Sequence, residues 1–224
     1  MKKQLLTAVA ALAVAAPAVA RDGAPYIGIE GGILQPEDTK FDIDFTTGTV
    51  SRSYDDGIVV DYKRGLDIGV IGGYDLGMFR VEGELAHKRA RISDITPSTN
   101  LLADIQQVLP GTTEDDFESS GRIKITSLMV NGLVDLGADG GWAGYFGGGI
   151  GRAWTSLLGD RDSTWAWQAI AGFRAPVSDN IDVGLKYRFF NTSRLSFEDN
   201  FDGVAFDTNG RFRSHSLLAS LIYN

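Results

Sequence analysis

Ile181-Asp182-Val183-Gly184-Leu185-Lys186-Tyr187-Arg188-Phe189 alternates without a break. Ile181, Val183, Leu185, Tyr187 and Phe189 are apolar or aromatic, and Asp182, Gly184, Lys186 and Arg188 are charged or glycine. A two-residue period places these sets on opposite faces of a β-strand. About nine residues also suffice for a tilted strand to cross the hydrocarbon of a bilayer. The rest of the chain decides whether the oily face looks into a core or out into lipid.

The alternation recurs. Leu66, Ile68, Val70, Gly72 and Tyr74 oppose Asp67, Gly69, Ile71 and Gly73, while Phe79, Val81 and Leu85 oppose Arg80, Glu82 and Glu84. Further strands are expected at 26–34, 123–136, 144–154, 165–175 and 211–223, which makes eight. Short spacers at 75–78, 137–141 and 176–180 hold Gly, Asp, Asn or Pro in turn positions. Long spacers at 35–64, 92–122, 156–164 and 191–210 alternate with them. In an antiparallel meander all long loops then lie at one end, and both termini and the short turns at the other.

An eight-stranded barrel has an interior just wide enough for side chains, so the face of glycine and charge belongs inside. The other face is expected to carry aromatics near both strand ends. Tyr26, Tyr74, Phe79, Phe173 and Tyr223 lie toward the short turns. Trp154, Trp165, Trp167, Tyr187, Phe189 and Phe190 lie toward the long loops. Two aromatic girdles around an aliphatic band mark a membrane barrel, whose closed ladder satisfies every backbone group in lipid. The expected fold is all-β, an eight-stranded antiparallel up-and-down transmembrane β-barrel.

The 224 residues include 21 Lys+Arg, 29 Asp+Glu and no Cys. The missing cysteines exclude disulfides, thiolate metal sites and a cysteine nucleophile. The acid excess argues against nucleic acid as a partner. A mean hydropathy of −0.05 excludes a helical membrane protein but not a barrel, because it averages an oily wall, a charged lumen and polar loops. The long spacers hold 19 acids and 7 bases, so the negative charge is expected on the outer face of the cell.

Residues 1–20 read as a separate unit. Lys2 and Lys3 precede an apolar run over 5–16, and Pro17-Ala18-Val19-Ala20 supplies an A-x-A site. This is the pattern of a secretory signal peptide cleaved after Ala20, leaving 21–224 as the barrel domain.

Several segments resemble small bacterial outer-membrane barrels of the opacity-protein and OmpA-type group. They include Tyr26-Ile27-Gly28-Ile29-Glu30-Gly31-Gly32, a first strand, and Ser127 to Leu136, a fourth. Tyr145-Phe146-Gly147-Gly148-Gly149-Ile150-Gly151 is similar to the fifth. Trp165 to Phe173, Pro176 to Ile181 and Gly184 to Phe189 together resemble the penultimate hairpin. The resemblance implies eight strands in the outer membrane of a Gram-negative cell. It implies lipid, lipopolysaccharide and the insertion machinery as partners. The family usually ends in an aromatic residue, whereas this chain ends Tyr223-Asn224, and no peptidoglycan-binding domain is expected after the barrel.

The inner face is expected to carry Glu30, Asp67, Arg80, Glu82, Glu84, Asp135, Arg174, Asp182, Lys186 and Arg188. Their near balance of sign favours a salt-bridge plug over an ion path, with Glu82 or Glu84 reaching across to Lys186 or Arg188. Neither acidic stretch, 159–162 nor 198–202, has a calcium-loop spacing, and no cofactor or metal is expected. Ser98 to Val108 reads as a short helix with Asn100 as its cap. Ser214-His215-Ser216 raises a lipid-modifying hydrolase, but neighbours on a strand face opposite ways, and no catalytic residue is assigned. The expected role is structural or surface-interacting, through a ligand held by four acidic loops. A small-solute porin with a narrow or gated lumen is the alternative, and an outer-membrane lipid-modifying hydrolase stands behind it.

Overall fold

The computed structural model describes residues 23–224 except 48–49, 109, 118–120, 137–142, 158–159 and 202–203. The signal segment and the turn expected at 137–141 lie outside the described residues. The strands are β1 (Pro25–Pro36), β2 (Thr39–Thr47), β3 (Val50–Tyr62), β4 (Gly65–Asp75), β5 (Phe79–Pro97) and β6 (Arg122–Leu136). They continue as β7 (Ala143–Leu157), β8 (Asp160–Ser178), β9 (Ile181–Thr192), β10 (Leu195–Phe201), β11 (Val204–Gly210) and β12 (Arg213–Tyr223). Helix α1 (Thr99–Val108) and a 3-10 turn, η1 (Glu114–Phe117), lie between β5 and β6.

Strands β5-β4-β1-β12-β9-β8-β7-β6 hydrogen-bond in that order, and β5 pairs with β6 to close the ring. Every pair is antiparallel, including the closing one. This is the expected eight-stranded barrel. Its outer wall exposes Ile29, Ile68, Val81, Leu128, Ile150 and Leu185 among many others.

The long spacers are not the loops expected of them. The order β5-β3-β2-β11-β10 repeats the order β5-β4-β1-β12-β9 one storey higher. Residues 39–62 and 195–210 are thus mostly strand, continuing β1, β4, β9 and β12 beyond short breaks at 37–38, 63–64, 193–194 and 211–212. Backbone bonds stitch across the breaks. Glu37 N–H donates to Arg213 O at 3.0 Å, and Lys63 N–H to Arg91 O at 2.9 Å. Likewise β7 runs to Leu157 and β8 starts at Asp160, so the loop expected at 156–164 is the top of a hairpin.

The reason is an inversion of polarity. Inward positions of β5 read Arg80, Glu82, Glu84 and Lys88, then Ala90 and Ile92, all buried. Above Lys88 the outward positions become Arg89 and Arg91, both exposed. The period stays at two while the apolar phase changes faces. A reading that follows one apolar face ends the strand at Leu85.

The upper interior holds an apolar core that includes Phe41, Tyr62, Ile92, Phe190, Leu195 and Phe212. Above it α1 rests on the inner side of β2 and β3. Leu101 is buried against Ile43 and Tyr54, with Ile58 and Ile105 packed alongside. Asp104 accepts from Arg52 and from the Tyr54 hydroxyl. The cap of α1 is Ser98 rather than Asn100. Its hydroxyl oxygen accepts from Leu101 N–H at 3.4 Å and its carbonyl from Leu102 N–H at 2.9 Å.

Candidate functional site

The lower lumen is a layered ion network. At its base Arg80 makes a two-pronged contact with Asp135, Nε to Oδ2 at 2.8 Å and Nη2 to Oδ1 at 3.0 Å. Arg174 joins Asp75 at 2.9 Å to Asp135 at 3.1 Å. The Arg80 guanidinium also lies over the Tyr145 ring at 4.7 Å and the Tyr26 ring at 5.7 Å. Those rings lie flat against the wall because glycine faces them. A Cβ on Gly73 would stand 2.5 Å from the Tyr26 ring, and one on Gly172 2.6 Å from the Tyr145 ring.

The middle layer is centred on Lys186 and Arg188. Lys186 Nζ lies 2.6 Å from Glu30 and 3.4 Å from Glu82. Arg188 reaches Glu30, as well as Asp67 and Glu84 at 2.9 Å each. Neutral groups add to the carboxylate shells. Asn131 Nδ2 donates to Glu82 and Glu84 at 3.2 Å, Gln168 Nε2 to Glu84 at 3.1 Å, and Ser216 to Asp67 at 2.7 Å. Asp182 stands lower, accepting from Asn224 Nδ2 at 3.1 Å. Burying a charge is costly unless it is paired and hydrogen-bonded; every base named here has a carboxylate within reach, while Asp67 Oδ1, Glu84 Oε1 and Arg188 Nε are buried without a hydrogen bond among the described residues.

All ten residues expected in the lumen face it, with Asp135 and Arg174 the least enclosed. Sequence reading missed Lys88, which lies 3.7 Å from Asp67, and Asp75, the partner of Arg174. It also missed Tyr26, Asn131 and Gln168. Parity along the strands was the available signal. Lys88 and Asp75 are an even number of residues from Glu84 and Asp67 on their strands, and so share their inner face.

Parity also corrects two girdle positions. Tyr26 and Glu30 are four residues apart on β1 and face the same way. Tyr26 is buried and its hydroxyl donates to Glu82 at 3.1 Å. Phe190 shares the phase of Lys186 and Arg188, is fully buried, and lies under Lys88 Nζ at 4.3 Å. Aromatic character alone predicts the outer wall for both, but an aromatic ring on the inner phase fills the lumen. The other girdle residues lie on the outer wall. Tyr74, Phe79 and Phe173 are exposed and Tyr223 is half-buried toward the short turns. Trp154, Trp165, Trp167 and Tyr187 are exposed toward the other end, with Phe189 half-buried 5.4 Å from Trp167.

His215 sits on the outer wall. Its Nε2 is 2.9 Å from Glu37 Oε1, and its Nδ1 is 2.7 Å from the Tyr187 hydroxyl. Ser214 and Ser216 point into the lumen, so the hydroxyl beside this imidazole is a phenol and not a serine. Among the described residues no group of three or more His, Asp or Glu is arranged to hold a metal ion.

A family model described as outer membrane protein beta-barrel domain matches residues 5–223. The outer membrane protein PagN of Salmonella typhimurium is 23% identical over 120 residues, covering 46% of this chain and 50% of its own. An uncharacterized protein of Brucella abortus is 25% identical over 160 residues, covering 63% and 55%. The chain thus spans about half the length of the curated relatives it matches. The crystal structure of the outer membrane protein OprG from Pseudomonas aeruginosa superposes with a TM-score of 0.56. That match is 13% identical and covers 92% of this chain and 99% of the other. It shows the fold alone.

Proposed function

Since the chain belongs to the outer membrane protein beta-barrel family and resides in the cell outer membrane, we propose that it is a closed, non-enzymatic scaffold. Its task is to present acidic hairpins to a surface ligand of complementary positive charge. The observation that carries this reading is the stack inside the barrel. Charges are paired in the lower lumen, an apolar core fills the upper one, and α1 packs on the inner wall at the top. Water-filled conduction needs a continuous wet path, and this interior is occupied by side chains. The exposed acids Asp55, Asp56, Asp94 and Glu114 to Asp116 support recognition of a cationic partner. The phenol beside His215 supports a non-hydrolytic role, because the serine-dependent alternative lacks its nucleophile at that position.

Two measurements test the reading. Purified protein in planar bilayers is expected to give no conductance steps above the lipid background, and regular ion steps would install the narrow-pore alternative. On intact cells a Thr113→Cys variant, the only thiol in the chain, is expected to react with a membrane-impermeant reagent. Residues 1–20 are proposed as the export signal, so the mature protein should begin at Arg21 by mass spectrometry.

A further inference from the structure

The ladders of the lower barrel run on into the upper storey with one exception. β4–β5 continues as β3–β5, β1–β4 as β2–β3, β1–β12 as β2–β11 and β9–β12 as β10–β11. β5–β6, β6–β7 and β7–β8 reach Arg91↔Arg122, Ile123↔Leu157 and Leu157↔Asp160. β8–β9 stops at Ala166↔Thr192. Above it Ser193 N–H donates to Trp165 O at 2.7 Å, and among the described residues no ladder joins the top of β8 to β10. The upper storey is therefore an open sheet, and β11 is the one ladder neighbour of β10 among the described residues. An edge strand offers a row of backbone N–H and C=O groups to any chain that can pair with it, and proteins commonly blunt such edges with Lys, Pro or a bulge. β10 has none of these. Leu195–Phe201 contains no Lys or Pro, and its pairing with β11 runs without a register shift.

Charge selects what pairs there. The register sets Glu198 of β10 opposite Asp207 of β11, and Asp207 opposite Asp44 of β2. One cross-strand row thus carries acids on three neighbouring strands, and like charges directly opposite each other are destabilising. The next place in that row lies beyond β10 and belongs to whatever strand is added. A Lys or Arg there turns the repulsion at Glu198 into attraction. A second copy of β10 instead brings Glu198 and Asp199 of its own. We propose that the free edge of β10 takes up an extended segment of another polypeptide as an added β-strand, held by main-chain bonds and selected by Lys or Arg at alternate positions. This rests on the reading of the upper hairpins as presenters of negative charge to a cationic ligand, and it gives that ligand a form. Main-chain pairing supplies affinity without a deep pocket, which suits a storey whose interior is filled by its own apolar core.

The test uses the whole barrel folded in phosphatidylcholine vesicles at low ionic strength. The probe is a fluorescent decapeptide of alternating Lys and Thr, and its control is the same peptide methylated at every backbone nitrogen. Methylation keeps the charge and removes the donors. It is expected to weaken binding at least ~10-fold, the loss of about two net hydrogen bonds. The unmethylated probe should slow amide exchange over 195–201 and leave exchange in β6 unchanged. E198Q/D207N removes the opposed charges and should keep the heat-shifted gel migration of the wild type. It is expected to bind the probe about 5-fold more weakly, the scale of cross-strand charge pairs, and unchanged binding overturns the charge selection. Equal binding of the methylated peptide overturns the added strand and leaves the cationic-ligand reading standing. Failure of both peptides to bind overturns the two together. Binding without protection of 195–201 overturns the assignment to β10. A concentration-dependent dimer that protects 195–201 with no peptide present assigns the edge to a second copy, and likewise overturns the proposal.

Discussion

The two storeys of the barrel are built from the same strands with opposite polarity. In the lower storey β5 turns Val81 and Leu85 outward and Glu82 and Glu84 inward. In the upper storey it turns Arg89 and Arg91 outward and Ala90 and Ile92 inward. β9 changes the same way, from Lys186 and Arg188 inside to Phe190 inside. The ladder is indifferent to this change, since its hydrogen bonds are backbone to backbone. What changes is the medium outside. Lipid requires an apolar exterior and leaves the inside to any set of groups that can satisfy one another, whereas water reverses the demand. The membrane surface is written into the sequence as the residue where the apolar phase switches faces.

That contrast can be broken first at its most heavily coordinated point. Arg188→Met leaves Glu30, Asp67 and Glu84 without their shared partner. Losing one member of a buried ion pair costs about 3–5 kcal/mol, and the upper end is expected here. Equilibrium urea unfolding in lipid vesicles would measure it, and a loss below 1 kcal/mol would mean that water reaches the network.

The upper storey should fail by a different physics. Phe212→Ala removes a fully buried ring from the apolar core and is expected to cost about 3–4 kcal/mol through transfer and cavity terms. The upper hairpins should become protease-sensitive while the heat-shifted gel band of the lower barrel persists. Simultaneous loss of both would show that the storeys fold as one unit.

A smaller effect concerns α1. Hydrogen bonding from Tyr54 and the charge of Arg52 hold the Asp104 carboxyl below the usual range. The docking contribution is therefore present above the usual aspartate range and is lost as pH falls through the depressed value. Hydrogen exchange in α1 should quicken on acidification in the wild type, and Asp104→Asn should exchange quickly at every pH.

The smallest expected change is a gain. Burial, together with Asp38 and Asp94, pushes the Asp61 carboxyl up. A raised folded-state value means that the contribution of this group to stability is greatest at low pH and is lost as pH rises through that value. Asp61→Asn should therefore stabilise the upper storey at neutral pH by about 0.5 kcal/mol, the scale of surface charge effects. A loss on thermal unfolding would reverse the sign.

The eight barrel strands were legible because lipid enforces an apolar phase over each crossing, as in Ile181 to Phe189. The charged lumen followed from the same phase. Less legible are Lys88 and Asp75, which lie beyond the apolar stretches that mark their strands, and Tyr26 and Phe190, whose aromatic type points outward while their parity points inward. Composition could not reveal the upper storey. Without lipid its outer face need not be oily, so β2, β3, β10 and β11 resemble polar loops.

By itself, then, the sequence determined the eight strands of the closed ring and their outward wall, because a period of two is a local property of the chain. Only the tertiary structure decided which carboxylate holds which base, as with Arg188 and Glu84, 104 positions apart along the chain. It also decided that α1 packs at the top of the barrel and that Arg89 stands against Lys124. Those facts depend on ring closure and register, which bring distant residues together through backbone pairing that no single strand encodes.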